Sequence, residues 1–190
     1  MIGLESMKVI FLDRDGVINR YPGDFEYVKS WQEFHFIPKI KPALKKLNAR
    51  GFKIFVVSNQ AGISKNIYSQ ESLDLITKNM LKELKDEGIE ISEVYYCLHR
   101  QDDNCSCRKP NTGLIEKALH KLKKEGHKVK LEESYFIGDT IRDIETGKKA
   151  GLKTILVFSG KEKPENKDAW QFTPDFTASD LYEAVQEIIH

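Results

Sequence analysis

Short apolar runs, rich in β-branched and aromatic residues, alternate along most of this chain with stretches whose apolar positions recur every three or four residues. A strand buried on both faces reads as the first pattern, and a helix packed on one side reads as the second. Strands separated by helices make a parallel sheet with helices on both faces. The runs are Val9–Leu12, Phe52–Val57, Val94–Leu98, Tyr135–Ile137 and Thr154–Phe158. Between them, Ile40, Ala43, Leu44 and Leu47 follow a helical period that Gly51 closes, and Leu73, Ile76, Met80, Leu81 and Leu84 do the same up to Gly88. Thr112 reads as the N-cap of a helix carrying Ile115, Ala118, Leu119 and Leu122, and another helix ends near Gly151. Ser179 reads as the cap of a terminal helix carrying Leu181, Ala184, Val185 and Ile188. The expected fold class is α/β, three layers around a mainly parallel sheet, in one domain over residues 1–190. The stretch from Gly16 to Ile37 has room for a loop over a site but not for a separate cap domain.

Several function classes are disfavoured early. Lys and Arg number 30 against 29 Asp and Glu, a formal net charge of +1, which lacks the strong positive field of a general nucleic-acid binder. No apolar run approaches the roughly 20 residues that span a bilayer, and Val9–Leu12 is too short for a secretory signal. The expectation is a cytoplasmic monomer acting on a small molecule, with neither nucleic acid nor membrane as partner. Cys97, Cys105 and Cys107 are odd in number, which argues for reduced thiols or metal ligation rather than a disulfide framework.

Polar groups fall where strands stop. Asp13 follows Val-Ile-Phe-Leu, Ser58 follows Phe-Val-Val, and Asp139 follows Phe-Ile-Gly. Ligands of open α/β sheets bind at the carboxyl ends of strands, so parallel strands bring these groups to one edge, with Asp15 and Asp143 nearby. Two carboxylates about 4 Å apart repel by roughly 4 kcal/mol at an effective dielectric of 20. Such a cluster calls for a cation, and ligands that are all oxygen favour magnesium.

These residues carry a family resemblance. Asp13-Arg14-Asp15-Gly16-Val17-Ile18-Asn19 resembles the first motif of haloacid dehalogenase-type phosphatases, and Val57-Ser58-Asn59-Gln60 resembles the second. Arg108-Lys109-Pro110 is similar to the third, and Gly138-Asp139 with Asp143 to the fourth. The resemblance implies a Rossmann-like fold and a magnesium-dependent phosphomonoester hydrolase. It casts Asp13 as the nucleophile that becomes an aspartyl phosphate, and Asp15 as the acid and base, its pKa raised by nearby negative charge. The Asp13 side chain, the Asp15 main-chain carbonyl and Asp139 hold the ion, with Asp143 acting on it through a water. Ser58 and Lys109 stabilise the transferring phosphoryl group. Asn19, Asn59, Gln60, Arg108 and Lys109 join Ser58 as substrate contacts, Arg108 gripping a second group.

Cys97-x-His99, five residues, then Cys105-x-Cys107 supplies three thiolates and one imidazole. That set matches a closed tetrahedral structural zinc site with no position left open for catalysis. Its place just before Arg108 and Lys109 implies that zinc stiffens the loop presenting them. The chain is accordingly similar to the capless, zinc-containing branch of the family, whose members act on heptose bisphosphates or histidinol phosphate. The stretch Ser58–Lys65 and Tyr27-Val28 ahead of Phe34-His35-Phe36 look more like the heptose type, and Tyr21–Phe25 is closer to the histidinol-phosphate type. Leu98 and Arg100-Gln101 replace prolines common around the zinc histidine, and Thr140 stands where the heptose type often has lysine.

Three other classes compete: a signalling receiver domain, a polynucleotide 3′-phosphatase and a non-enzymatic zinc module. The first phosphorylates an Asp after its third strand, the second needs a basic groove, and the third leaves the acids unexplained. Outside the motifs, His35, His120, His127 and His190 have no context. Lys117–Lys130 reads as a solvated face and loop, Lys161–Lys167 as a surface loop. Trp31, Phe34 and Phe36 read either as the site's entrance or as packing.

Overall fold

Val9, Ile10, Phe11 and Leu12 have no exposed surface, as a strand covered on both sides requires. They belong to β1 (Glu5–Leu12), the centre of a computed structural model that describes residues 5–189, leaving His190 outside. After β1 come α1 (Ile40–Ala49), β2 (Phe52–Asn59), α2 (Gln70–Asp86), β3 (Glu93–Cys97) and α3 (Gly113–Lys124). Then follow β4 (His127–Val129), β5 (Tyr135–Gly138), α4 (Ile141–Lys149), β6 (Lys153–Val157), β7 (Phe176–Ala178) and α5 (Leu181–Ile189).

The sheet runs β3-β2-β1-β5-β6-β7, with β4 pairing the start of β1, and every pairing is parallel. The chain moves outward from β1 to β3, then returns across β1 to build the other half. The order therefore reverses between β1 and β5, where open α/β sheets bind their ligands. Alternate residues face opposite layers. Ile10, Leu12, Ile54, Val56, Ile137 and Ile155 pack with α1, α2 and α5. Phe11, Phe55, Val57, Phe136 and Cys97 pack with α3, and α4 joins this layer by laying Gly147 on Phe136 and Thr154.

The expected elements are present, most shifted by a residue or two at their ends. β4 and β7, three residues each, were not expected. His127 thus stands in a strand, not in the loop read from the lysine-rich stretch. Two caps are corrected. Thr112 sits at the start of α3, but its hydroxyl donates to Glu116 Oε1 at 2.5 Å and caps no backbone N–H. At α5 the cap is Asp180, whose carboxylate accepts from Glu183 N–H at 2.9 Å, while Glu183 accepts from Ser179 N–H at 2.6 Å. A carboxylate outcompetes a neighbouring hydroxyl for the first-turn donors because it carries charge to the positive helix end. Trp31, Phe34 and Phe36 form a packing cluster, with Trp31 stacked 5.0 Å from Phe34, beside the α1 layer. Among the described residues, no helix is long and apolar enough to cross a membrane.

Phe11 is fully buried, its ring 5.4 Å from Phe55 and 6.5 Å from Phe136. Phe11→Ala is expected to lower the unfolding free energy by about 3–5 kcal/mol, read from the midpoint of chemical denaturation.

Candidate active site

At the switch point, β1 delivers Asp13 and β5 delivers Asp139, and Asp143 comes from the first turn of α4. One carboxylate oxygen from each lies within 4.8 Å of the others. Lys109 reaches into this group: its ammonium is 2.9 Å from Asp13 Oδ2 and 2.6 Å from Asp143 Oδ1, and the side chain is only 3% exposed. Burial opposes the charge on Lys109, yet Asp13 and Asp143 beside it push its pKa up to about 12. Burial raises the Asp13 carboxyl above its ordinary value, though Lys109 pulls the other way. Asp139 is raised further, by burial and then by the charges of Asp13 and Asp143.

Glycines let the acids in. A Cβ on Gly16, held at φ +82°, or on Gly160 would collide with the Asp139 carboxyl, and one on Gly138 would collide with Asp143. Asp139 Oδ2 also accepts the Lys161 backbone N–H at 2.8 Å. The stretch read as a mere surface loop thus closes one side of the site.

Asp15 faces differently. Its carboxylate accepts from the Arg14 guanidinium at 2.9–3.2 Å, from Asn19 Nδ2 at 2.9 Å and from Gln60 Nε2 at 2.8 Å. Its immediate partners are donors, not the acids that the sequence reading placed around it. Arg14 is fully buried under this pair, with Tyr96 stacked at 5.8 Å. Asn19 and Gln60, expected as substrate contacts, are buried behind Asp15 and do not line the cleft. Asn59 lines it, but its amide bonds the Lys109 backbone in both directions, at 3.1 and 3.2 Å.

The cleft, about 180 Å³, is lined by Asp13, Asp15, Ser58, Lys109, Asp139 and Asp143, together with Arg108 and Arg142 and with Tyr21, Pro22 and Tyr27. Thr140 also lines it, yet its hydroxyl is spent on Asp143 at 2.6 Å, in a capping box that opens α4.

The donors fit a hard divalent cation: all are oxygen, and Asp143 Oδ1 is buried with only the Lys109 ammonium beside it. The Asp15 side chain is not among them, so that residue can serve an ion only through its main chain. A second cluster lies at the end of β3. Cys97, His99, Cys105 and Cys107 bring their ligand atoms within 4.8 Å of one another, with sulfur–sulfur separations of 3.1–3.6 Å. These are too long for disulfide bonds and lie below the roughly 3.8 Å edge of a tetrahedron built on metal–sulfur bonds of about 2.3 Å, as thiols gathered without an ion between them can. Arg108 Nη1 donates to His99 O at 3.1 Å, tying this cluster to the cleft.

Comparison with known proteins agrees. A family model described as HAD-hydrolase-like matches residues 106–184. A D-glycero-D-manno-heptose-1,7-bisphosphate 7-phosphatase of Chlorobaculum tepidum is 38% identical over 96% of this chain and 94% of its own. A D-glycero-alpha-D-manno-heptose-1,7-bisphosphate 7-phosphatase of Photorhabdus laumondii is 34% identical over 94% of this chain and 98% of its own. A solved D,D-heptose 1,7-bisphosphate phosphatase of B. bronchiseptica, complexed with magnesium and phosphate, superposes with a TM-score of 0.86 at 27% identity, covering 96% of this chain and 98% of that one. The chain belongs to the haloacid dehalogenase-like hydrolases. Its activity is that of a phosphatase, hydrolysing phosphomonoesters.

The raised acids have a consequence for stability. A carboxyl whose folded pKa exceeds its unfolded value stabilises the fold below the unfolded pKa, and that contribution is lost as pH rises through the folded pKa. The metal-free protein is thus weakened near neutrality by Asp139 and Asp13, where a bound cation offsets the repulsion. Magnesium is expected to raise the melting temperature more at pH 7.5 than at pH 5, measured by thermal denaturation with and without the ion.

Proposed function

We propose that this chain removes the 7-phosphate of D-glycero-D-manno-heptose 1,7-bisphosphate, through an aspartyl phosphate on Asp13. The observation that carries the reading is Asp13 at the switch point, its carboxylate beside Lys109 and open to the cleft. Substrate identity is supported by relatives bearing that name at 34–38% identity. Arg108 and Arg142, which both line the cleft, can meet a second phosphate.

In the first step an Asp13 oxygen attacks phosphorus while the bond from phosphorus to the sugar oxygen breaks. Asp15 gives its proton to that oxygen, so the sugar leaves as an alcohol. In the second step water attacks the same phosphorus, Asp15 takes back a proton, and inorganic phosphate and free Asp13 result. Ser58 and Lys109 bind the equatorial oxygens of the phosphoryl group. The Asp13 side chain, the Asp15 carbonyl and Asp139 would hold magnesium, which when bound would supply charge neutralisation for that group. The chain acts as a single domain whose specificity comes from loops.

Zinc on Cys97, His99, Cys105 and Cys107 is assigned a structural part: it fixes the loop whose next residues are Arg108 and Lys109. Stripping zinc is expected to lower kcat/KM with magnesium still present, alongside a metal assay showing its loss. Unchanged kinetics in a protein verified to be zinc-free would count against this assignment.

Substrate choice is read from magnesium-supported turnover of heptose 1,7-bisphosphate, histidinol phosphate and a 3′-phosphorylated oligonucleotide, the first being preferred. Asp13→Asn is expected to abolish turnover with the circular dichroism spectrum intact. Substantial residual activity would show that another group is the nucleophile.

A further inference from the structure

We infer that Tyr68 is a positioning residue, its hydroxyl fixing the Gln60 amide and, through that amide, the Asp15 carboxyl. The inference rests on Asp15 being the general acid of the proposed function. Tyr68 lies in the loop from β2 to α2, one residue before Ser69, whose hydroxyl caps α2 by accepting Ser72 N–H at 3.2 Å. The helix start thus holds the tyrosine in place. Its ring fills the space that Gly62 leaves, where a Cβ would collide with it, and lies 6.0 Å from Tyr27. That packing accounts for an aromatic ring but not for a buried hydroxyl, which a phenylalanine would omit.

The hydroxyl donates to Gln60 Oε1 at 2.6 Å. Burial pushes the phenol above its ordinary pKa, so it stays protonated and keeps a hydrogen to give to that oxygen. An amide has one accepting and two donating edges. With Oε1 engaged by Tyr68, Nε2 must point the other way, where it donates to Asp15 Oδ2 at 2.8 Å and to Ser58 Oγ at 3.2 Å. Asn19 holds the other oxygen of the same carboxylate, and the Arg14 guanidinium spans both. Without Tyr68, Gln60 is free to turn over and present its oxygen to Asp15, whose Oδ2 then exchanges a donor for a repelling oxygen and keeps Arg14 alone.

The test uses leaving groups. An alkyl alkoxide needs a proton as it departs, whereas p-nitrophenolate does not, and kcat/KM reports the step in which that proton moves. Tyr68→Phe keeps the ring. It is expected to lower kcat/KM about tenfold on the sugar phosphate, within the hundredfold or more that a placed acid supplies, and to leave p-nitrophenyl phosphate within about threefold. In a Gln60→Met background, Tyr68→Phe is expected to cost nothing further, the non-additivity of residues acting in series. Thermal melts of each variant check that the fold is kept. Equal losses on both substrates, no loss on either, or an undiminished loss in the Gln60→Met background would overturn the inference. Asp15→Asn separates the two levels. If it shows the leaving-group signature and Tyr68→Phe does not, only the role of Tyr68 falls. If Asp15→Asn lacks the signature, the general-acid reading falls and this inference with it.

Discussion

Three buried carboxyls around a single ammonium set the terms for everything else in the molecule. At effective protein dielectrics, each pair of ionised acids at such distances repels by several kcal/mol. Lys109 can neutralise only one of Asp13, Asp139 and Asp143. Burial first, and then this deficit, push Asp139 to hold a proton, and the deficit explains why the donor set suits a divalent ion. It also explains the scaffold. Holding like charges together requires rigid supports, and they are supplied by strand ends, a capped helix start and backbone N–H groups rather than by flexible side chains.

The support is continuous with the hydrophobic core. Leu12 and Ile137 are partners in adjacent strands; Asp13 is the next residue after Leu12, and Asp139 the next but one after Ile137. Asp13 N–H donates to Ile137 O at 3.0 Å, so the β1–β5 ladder continues into the site. Gly16, Gly138 and Gly160 are small where a carboxyl must sit against backbone. Packing in the two apolar layers thus fixes the relative positions of charges that would otherwise separate.

Much of this was legible in the sequence because it rests on local pattern. Asp13, Ser58 and Asp139 each follow an apolar run, and parallel pairing then brings them together without further information. What stayed hidden depends on tertiary contact. β4 and β7 have three residues each, too few to display a period, and pair only because β1 and β6 offer edges. Asn19 and Gln60 sit within motifs, which made them read as substrate contacts. Asn19 is buried behind Asp15 because the Arg14–Asn19 turn folds back, where Ile18 N–H and Asn19 N–H both donate to Arg14 O, and Gln60 is held there by its backbone N–H on Cys97 O and by Tyr68. Lys161 acts through its backbone N–H, which no side-chain motif can announce. Tyr68 sits in a loop whose course is set by the cap of α2.

The two metal-suited clusters divide along chemical lines that keep them from exchanging ions. The set at the end of β3 is thiolate and imidazole, ligands suited to zinc; the set between β1 and β5 is carboxylate only, suited to magnesium. They are nevertheless joined through few covalent and hydrogen-bonded steps. Cys107 is two residues from Lys109, Arg108 bonds the His99 carbonyl, and Asn59 at the end of β2 grips the Lys109 backbone. Lys109 is therefore anchored from a strand on one side and from the cysteine loop on the other. A long side chain with four rotatable bonds would pay heavily in entropy to reach the acids from a loose loop. Fixing its backbone at both ends removes much of that cost, so an ordered cysteine loop matters to the charge balance although none of its thiols touches the cleft.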